Sequence, residues 1–232
     1  MASRIDLATI RAAAELACDD IYDPITPNVF GQIYRVGETV CGTVARDGLF
    51  YIVMQGTELE EQESDRRLHF SLQGWAADFD CMPTYHPVLG NLHAGFHQNL
   101  PALIKQLTPD IPAGARIIVT GHSKGAGEAA QLGALLKLAG YDVVGLVLFA
   151  CPRPGYQRLA DWLAANIPGV SFRNAPAGLE AFGDPVPLVP LEPYVPPYPL
   201  TYIDRPPTGL ERAMSIEWHQ GALYIQGISA FT

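Results

Sequence analysis

Nothing in this sequence offers a Cys-x-x-Cys pair, a cluster of lysine and arginine, or an apolar run long enough for a bilayer. The four cysteines, Cys18, Cys41, Cys81 and Cys151, lie far apart. That spacing excludes a compact disulfide scaffold and a cysteine-built zinc site, and reduced structural thiols are the expectation. Charged residues make up only 17% of the chain, and acidic ones outnumber basic ones 24 to 15, for a net charge of −9. Nucleic acid and anionic membrane surfaces are therefore disfavoured as partners. The longest apolar run, VVGLVLFAC at 143–151, has about half the length of a membrane span, so no stable membrane insertion is expected. The N-terminal stretch MASRIDLATIRAAAELACDD mixes charges among its apolar positions and lacks the unbroken apolar core of a signal peptide. A soluble protein, cytoplasmic or released by a signal-independent route, is the expectation. The histidines suggest no metal site either. His93 and His97 stand at i and i+4, but HAGFH lacks the glutamate and third ligand of a zinc hydrolase, so the sequence calls for neither metal nor cofactor.

What is present is a well-mixed apolar chain. Apolar residues make up 48% of 232, enough for one large α/β domain over residues 1–232, with no break in composition to divide it. Residues 5–22 carry apolar side chains at helical spacing. TVCGTVARDGLFYIVMQG reads as a β-hairpin turning at Asp47-Gly48. AGFHQNLPALIKQL, from about 94 to 107, predicts one helix with a kink at Pro101. From there strands and helices alternate: ARIIVTG, a helix from Ser123 to Gly140, DVVGLVLFA, a helix in PGYQRLADWLAANIPG, and VSFRNA. Such alternation predicts βαβ units in a mostly parallel central sheet flanked by helices on both faces. Residues 185–207 hold nine of the 20 prolines and predict an ordered but irregular loop or extended arm.

The stretch IIVTGHSKGAGEAA (117–130) carries the chemistry. A phosphate loop needs Gly-Lys followed by Ser or Thr, and here Lys124 precedes Gly125 with neither after it. Gly121-His122-Ser123-Lys124-Gly125 instead fits the turn that lifts a serine hydroxyl out of a sheet at a helix N-terminus. Serine attacks only when a base takes its proton and a carboxylate orients that base. In hydrolases built around such a turn the chain order is serine, acid, histidine. Of six histidines only His219 follows Ser123, so His219 is the candidate base. Asp184, after the VSFRNA strand, is the best-placed acid, with Asp204 in reserve.

QGT (55–57), HAGF (93–96), GHSKGAG (121–127), FACPRPG (149–155), DPVPLVP (184–190) and a late His219 occur in this order. Together, over roughly residues 20–225, they resemble the class 3 lipases. The resemblance implies an α/β-hydrolase fold and hydrolysis of carboxylic esters, with Ser123 the nucleophile, Asp184 the acid and His219 the base. It also implies an oxyanion hole from Thr57 and the backbone N–H of Lys124. Two positions depart from the family pattern. Gln55 stands where arginine is usual, and Lys124 stands where a bulky apolar residue is usual. Only the Lys124 backbone is needed, so its side chain is expected to be dispensable for catalysis.

The expected partner is a small-molecule ester or lipid; oligomeric state is not legible. Phospholipase A, thioesterase or acyltransferase chemistry would use the same site, and a catalytically silent binding protein would lack one of these residues. The lid-like segment of the family corresponds to residues 58–80. Its first ten residues hold four glutamates, one aspartate and two arginines, with Leu59 the only large apolar side chain. A flap of that composition gains little from contact with oil, which predicts activity on soluble short-to-medium acyl esters.

Overall fold

A computed structural model describes residues 5–22, 29–57, 82–176, 182–206 and 216–231. The lid-like segment 58–80 lies outside the described residues, as does Cys81.

A seven-stranded sheet organises the chain, in the order β1 (Gln32–Val36), β2 (Thr39–Arg46), β3 (Leu49–Met54), β6 (Ile117–His122), β7 (Val143–Phe149), β8 (Gly169–Asn174) and β9 (Leu200–Ile203). The first three strands are antiparallel and the remaining pairings are parallel. β4 (Pro83–His86) and β5 (Gly90–His93) form a separate antiparallel hairpin. The β2–β3 hairpin turns where expected. Asp47 and Gly48 take φ of 52° and 75°, the two left-handed residues that a tight type I′ turn demands.

Helices cover both faces. They are α1 (Leu7–Cys18), α2 (Ala94–His97), α3 (Leu100–Leu107), α4 (Lys124–Leu138), α5 (Gln157–Asn166) and α6 (Gly221–Ser229). Strand alternation assigns the faces. Ile52, Met54, Ile117, Val119 and Leu148 join α3, α4 and α5 in one core cluster. Their neighbours Tyr51, Val53, Ile118, Val147 and Phe149 join α1 and α6 in the other. Each such buried aliphatic or aromatic side chain contributes about 1.5–3 kcal/mol over an exposed one, which is why central strands read as continuous apolar runs.

The first helix starts one residue after Asp6, whose carboxylate accepts the Thr9 N–H at 2.8 Å. It stops at Cys18 and passes into a short 3₁₀ turn, Asp20–Tyr22. The segment 94–107 differs from expectation. It forms two helices, α2 and α3, rather than one kinked at Pro101. The break falls at Gln98–Asn99, and Pro101 sits in the first turn of α3, where its missing N–H has no intrahelical partner to lose.

The proline-rich arm is ordered. It contains a 3₁₀ turn at Val186–Leu188 and then contributes β9, paired parallel to β8 from Ser171↔Leu200 to Asn174↔Ile203. Isolated bridges Leu92↔Gly155 and Gly155↔Val195 stitch the β4–β5 hairpin to this arm. At the other end of the chain α6 packs on α1. The Arg11 guanidinium donates to the carbonyls of Ser229 (3.3 Å) and Phe231 (2.6 Å). Among the described residues, no helix is long and apolar enough to cross a membrane.

Candidate active site

Ser123 joins β6 directly to α4 and takes φ 58°, ψ −133°, a left-handed backbone that a non-glycine residue holds only when its surroundings enforce it. The flanking glycines supply that enforcement. A Cβ on Gly121 would overlap the Gly125 carbonyl, and one on Gly125 would overlap the Met54 carbonyl. The helix therefore starts hard against the ends of β3 and β6. The Ser123 N–H is tied to the Phe149 carbonyl at 3.0 Å, and the Ser123 carbonyl accepts the Ala126 N–H at 2.9 Å.

His219 stands between two oxygens. Its Nε2 is 2.8 Å from Ser123 Oγ and its Nδ1 is 2.8 Å from Asp184 Oδ2. Asp184 can only accept, so Nδ1 carries a proton, which leaves Nε2 free to accept from the serine hydroxyl. All three residues are buried, Asp184 completely. Burial alone would raise the Asp184 carboxyl. His219 beside it, together with hydrogen bonds from His219, Tyr224 and the Val186 N–H, outweighs burial and holds it below its ordinary value. Asp204 lies just after β9 with an exposed side chain, and it is Asp184 that His219 meets.

A scaffold of buried polar groups fixes these residues. The Asp184 N–H donates to the Asn174 carbonyl at 2.8 Å, and the Asp184 carbonyl accepts from Arg173 Nε at 2.9 Å. The Asn174 side-chain amide donates to the Trp218 carbonyl at 3.1 Å, one residue before His219. His122, immediately before the serine, donates from Nε2 to the His219 carbonyl at 2.9 Å, with the two rings 4.6 Å apart. Burial, then the neighbouring His219, push the His122 ring down to about 3, so it stays neutral and serves as a fixed donor.

Gly56, one residue before Thr57, comes close to the serine: a Cβ there would lie 3.2 Å from the Ser123 Cβ. Gln55-Gly56-Thr57 leaves the end of β3. The Gln55 side chain donates to the Ile21 carbonyl at 3.0 Å, and the Gly56 N–H donates to the Tyr22 hydroxyl at 2.9 Å. Thr57 is exposed. Lys124 is the first residue of α4, where backbone N–H groups lack intrahelical acceptors and the helix dipole favours negative charge. Its side chain is engaged as well. The ammonium donates to the Glu38 carbonyl at 3.0 Å and pairs with Glu128 Oε1 at 3.3 Å.

Sequence reasoning gave no role to His122, Asn174, Tyr224 or Glu128. Only Glu128 carried a local signal, an acid four residues after Lys124 on one helix. The others act across 31 to 97 residues of chain. His93 stacks on Phe96 at 4.2 Å between ring centroids, and His97 Nδ1 lies 3.2 Å from Gln131 Oε1.

Comparison with known proteins places this geometry in context. The family model described as Lipase (class 3) matches residues 51–193. No curated protein matches at a significant level. Among solved structures, a lipase from Rhizopus microsporus var. chinensis superposes with a TM-score of 0.65 at 18% identity, covering 97% of this chain and 85% of that one. Lip2 lipase from Yarrowia lipolytica gives 0.63 at 19% identity, over 92% and 86%. The triacylglyceride lipase of Rhizomucor miehei gives 0.59 at 17%, over 84% and 77%. At such identities the likeness establishes a shared fold, a mostly parallel sheet with flanking helices as in α/β-hydrolases.

Proposed function

We propose, for a chain that belongs to the class 3 lipase family, that Ser123, His219 and Asp184 form the triad of a serine hydrolase that cleaves carboxylic esters. The observation that carries this reading is His219, hydrogen-bonded at 2.8 Å to Ser123 on one side and to Asp184 on the other.

In this mechanism Ser123 Oγ attacks the ester carbonyl while His219 Nε2 takes its proton. Asp184 keeps the imidazole in the tautomer that can accept and stabilises the cation that forms. The carbonyl oxygen, now anionic, is held by the backbone N–H groups of Thr57 and Lys124, and one such donor is worth about 3 kcal/mol in the transition state. The imidazolium then protonates the departing alkoxide, which leaves as the alcohol. Water attacks the acyl-serine by the same route in reverse, with His219 as base, and releases the acid. The chemistry needs no metal or cofactor.

The substrate we assign is a soluble ester with a short-to-medium acyl chain. The support is the charge of residues 58–67, which gives an oil surface little to stabilise. The test is hydrolysis of a p-nitrophenyl ester series from acetate to palmitate, before and after treatment with a serine-reactive phosphonate. Turnover of the shorter esters, abolished by a single phosphonate adduct on Ser123, is expected. Undiminished turnover by fully labelled protein, or labelling elsewhere, overturns the assignment.

A further inference from the structure

One buried charge has no part in the triad. Glu128, on α4, is fully buried. Its Oε1 accepts the Thr39 hydroxyl at 2.7 Å and pairs with the Lys124 ammonium at 3.3 Å. Thr39 in turn receives the Asn99 amide at 3.2 Å. Glu128 Oε2 is buried with no hydrogen-bond partner among the described residues. A buried ion pair is seldom worth more than an apolar pair of the same size, so stability gives little reason for this arrangement.

Geometry gives a better one. The start of β2 touches both sides of the proposed oxyanion site. The Val40 carbonyl accepts the Gln55 N–H at 3.0 Å, two residues before Thr57. The Glu38 carbonyl accepts the Lys124 ammonium at 3.0 Å. Glu128 grips the same short stretch through Thr39 and the same helical turn through Lys124. It therefore sets the register between β2, which is hydrogen-bonded to the segment carrying one proposed donor, and the helix that carries the other.

We propose that Glu128 is a positioning residue, which through Lys124 and Thr39 fixes the spacing between the Thr57 and Lys124 backbone N–H groups that meet the oxyanion. The inference rests on the triad reading above. Donors of this kind act only when prealigned with the developing charge, so a slack register lowers kcat and leaves ground-state binding, hence KM, nearly alone. The groups facing the Glu128 carboxylate are Lys124 on its own helix, Thr39 and Cys41 on β2, and Glu38 in the β1–β2 turn. Burial, opposed by Lys124 and Thr39, moves this carboxyl up to about 6, so the clamp loses its charge on mild acidification. On acidification kcat then falls through an added step of about tenfold as Glu128 gains its proton.

The test uses Glu128→Gln, which keeps an oxygen for Thr39 and Lys124 and removes the charge. On p-nitrophenyl butyrate kcat is expected to fall about tenfold with KM within about twofold. The added step in log kcat near pH 6 disappears. Thr39→Val keeps the ion pair and removes a hydrogen bond that favours the carboxylate, so its acid inflection moves to higher pH. Phosphonate titration of every protein first counts competent Ser123. A wild type that does not label sinks the triad reading itself. Full labelling with wild-type kcat, acid step and inflection in both variants overturns the positioning role alone, and so does a change confined to KM. Should the Gln variant not fold, the inflection of Thr39→Val decides.

Discussion

Tyr224 donates its hydroxyl at 2.6 Å to Asp184 Oδ2, the same oxygen that lies 2.8 Å from His219 Nδ1. The hydroxyl also accepts the Asn174 N–H at 3.0 Å. It thus ties the last helix, α6, to the strand that precedes Asp184, and it shares the charge that orients the imidazole.

Tyr224→Phe therefore removes one donor from Asp184 and strands the buried Asn174 N–H, a loss of about 1–3 kcal/mol. The Asp184 carboxyl lies below its ordinary value, so its contribution to stability is present above the carboxylate range and is lost as pH falls through the lowered value. Without Tyr224 that value rises. The deficit of Tyr224→Phe relative to wild type should be full at pH 7 and shrink in strong acid, as read from urea unfolding at several pH values. A deficit that grows on acidification contradicts this.

Ser123→Ala and His219→Ala should each lower kcat on a soluble ester by about 10⁴-fold or more, and the double variant should lose little beyond either, because the residues act as a unit. Asp184→Asn should lose about 10⁴-fold through the wrong imidazole tautomer. Asp204→Asn, exposed beyond β9, should stay near wild type. Steady-state kinetics on the five variants check this, and the reverse ranking of the two aspartates transfers the acid to Asp204.

Lys124→Leu removes a side chain that the sequence marks as dispensable for catalysis, and with it the partner of the buried Glu128 carboxylate. Removing one partner of a buried ion pair typically destabilises by about 3–5 kcal/mol. Glu128 already lies high, at about 6, so its contribution to stability is present below the ordinary glutamate value and is lost as pH rises through about 6. Removing Lys124 raises it further. The deficit of Lys124→Leu should thus widen above pH 6 and narrow below it, measured by thermal unfolding between pH 4.5 and 8. A deficit independent of pH would falsify the pairing.

For the substrate, rate should rise smoothly with ester concentration through the solubility limit. A sharp jump at that limit, followed with a short-chain triglyceride in a pH-stat, would instead identify an interface-activated enzyme.

Much of the central architecture was legible because it is encoded locally. A β-branched run, Gly-x-Ser-x-Gly and a small-residue helix leave few other conformations, and parallel strands follow from the helices between them. The late His219 was found by order along the chain. β1, β4 and β9 escaped notice because they are short edge or hairpin strands with partly exposed side chains, and β5 because its four residues, mostly buried, are too few to show a period; there pairing partners rather than periodicity decide the structure. The break at Gln98–Asn99 carries no proline or glycine to announce it. The supports at Tyr224 and His122 join residues 40 and 97 apart, distances at which sequence spacing says nothing.

The Arg11 contacts that fasten α6 to α1 also bring the two ends of the described chain together. A short linker could span that gap, since closing a small loop carries little entropy. The exposed turn at Pro112–Gly114 lies before β6, and the six residues of that strand place it about 20 Å from Ser123. A circularly permuted chain joined at the old ends and opened at Gly114 would therefore synthesise Ser123, Asp184 and His219 before Thr57. It would arrive at the same site with Thr57 coming last along the backbone rather than first.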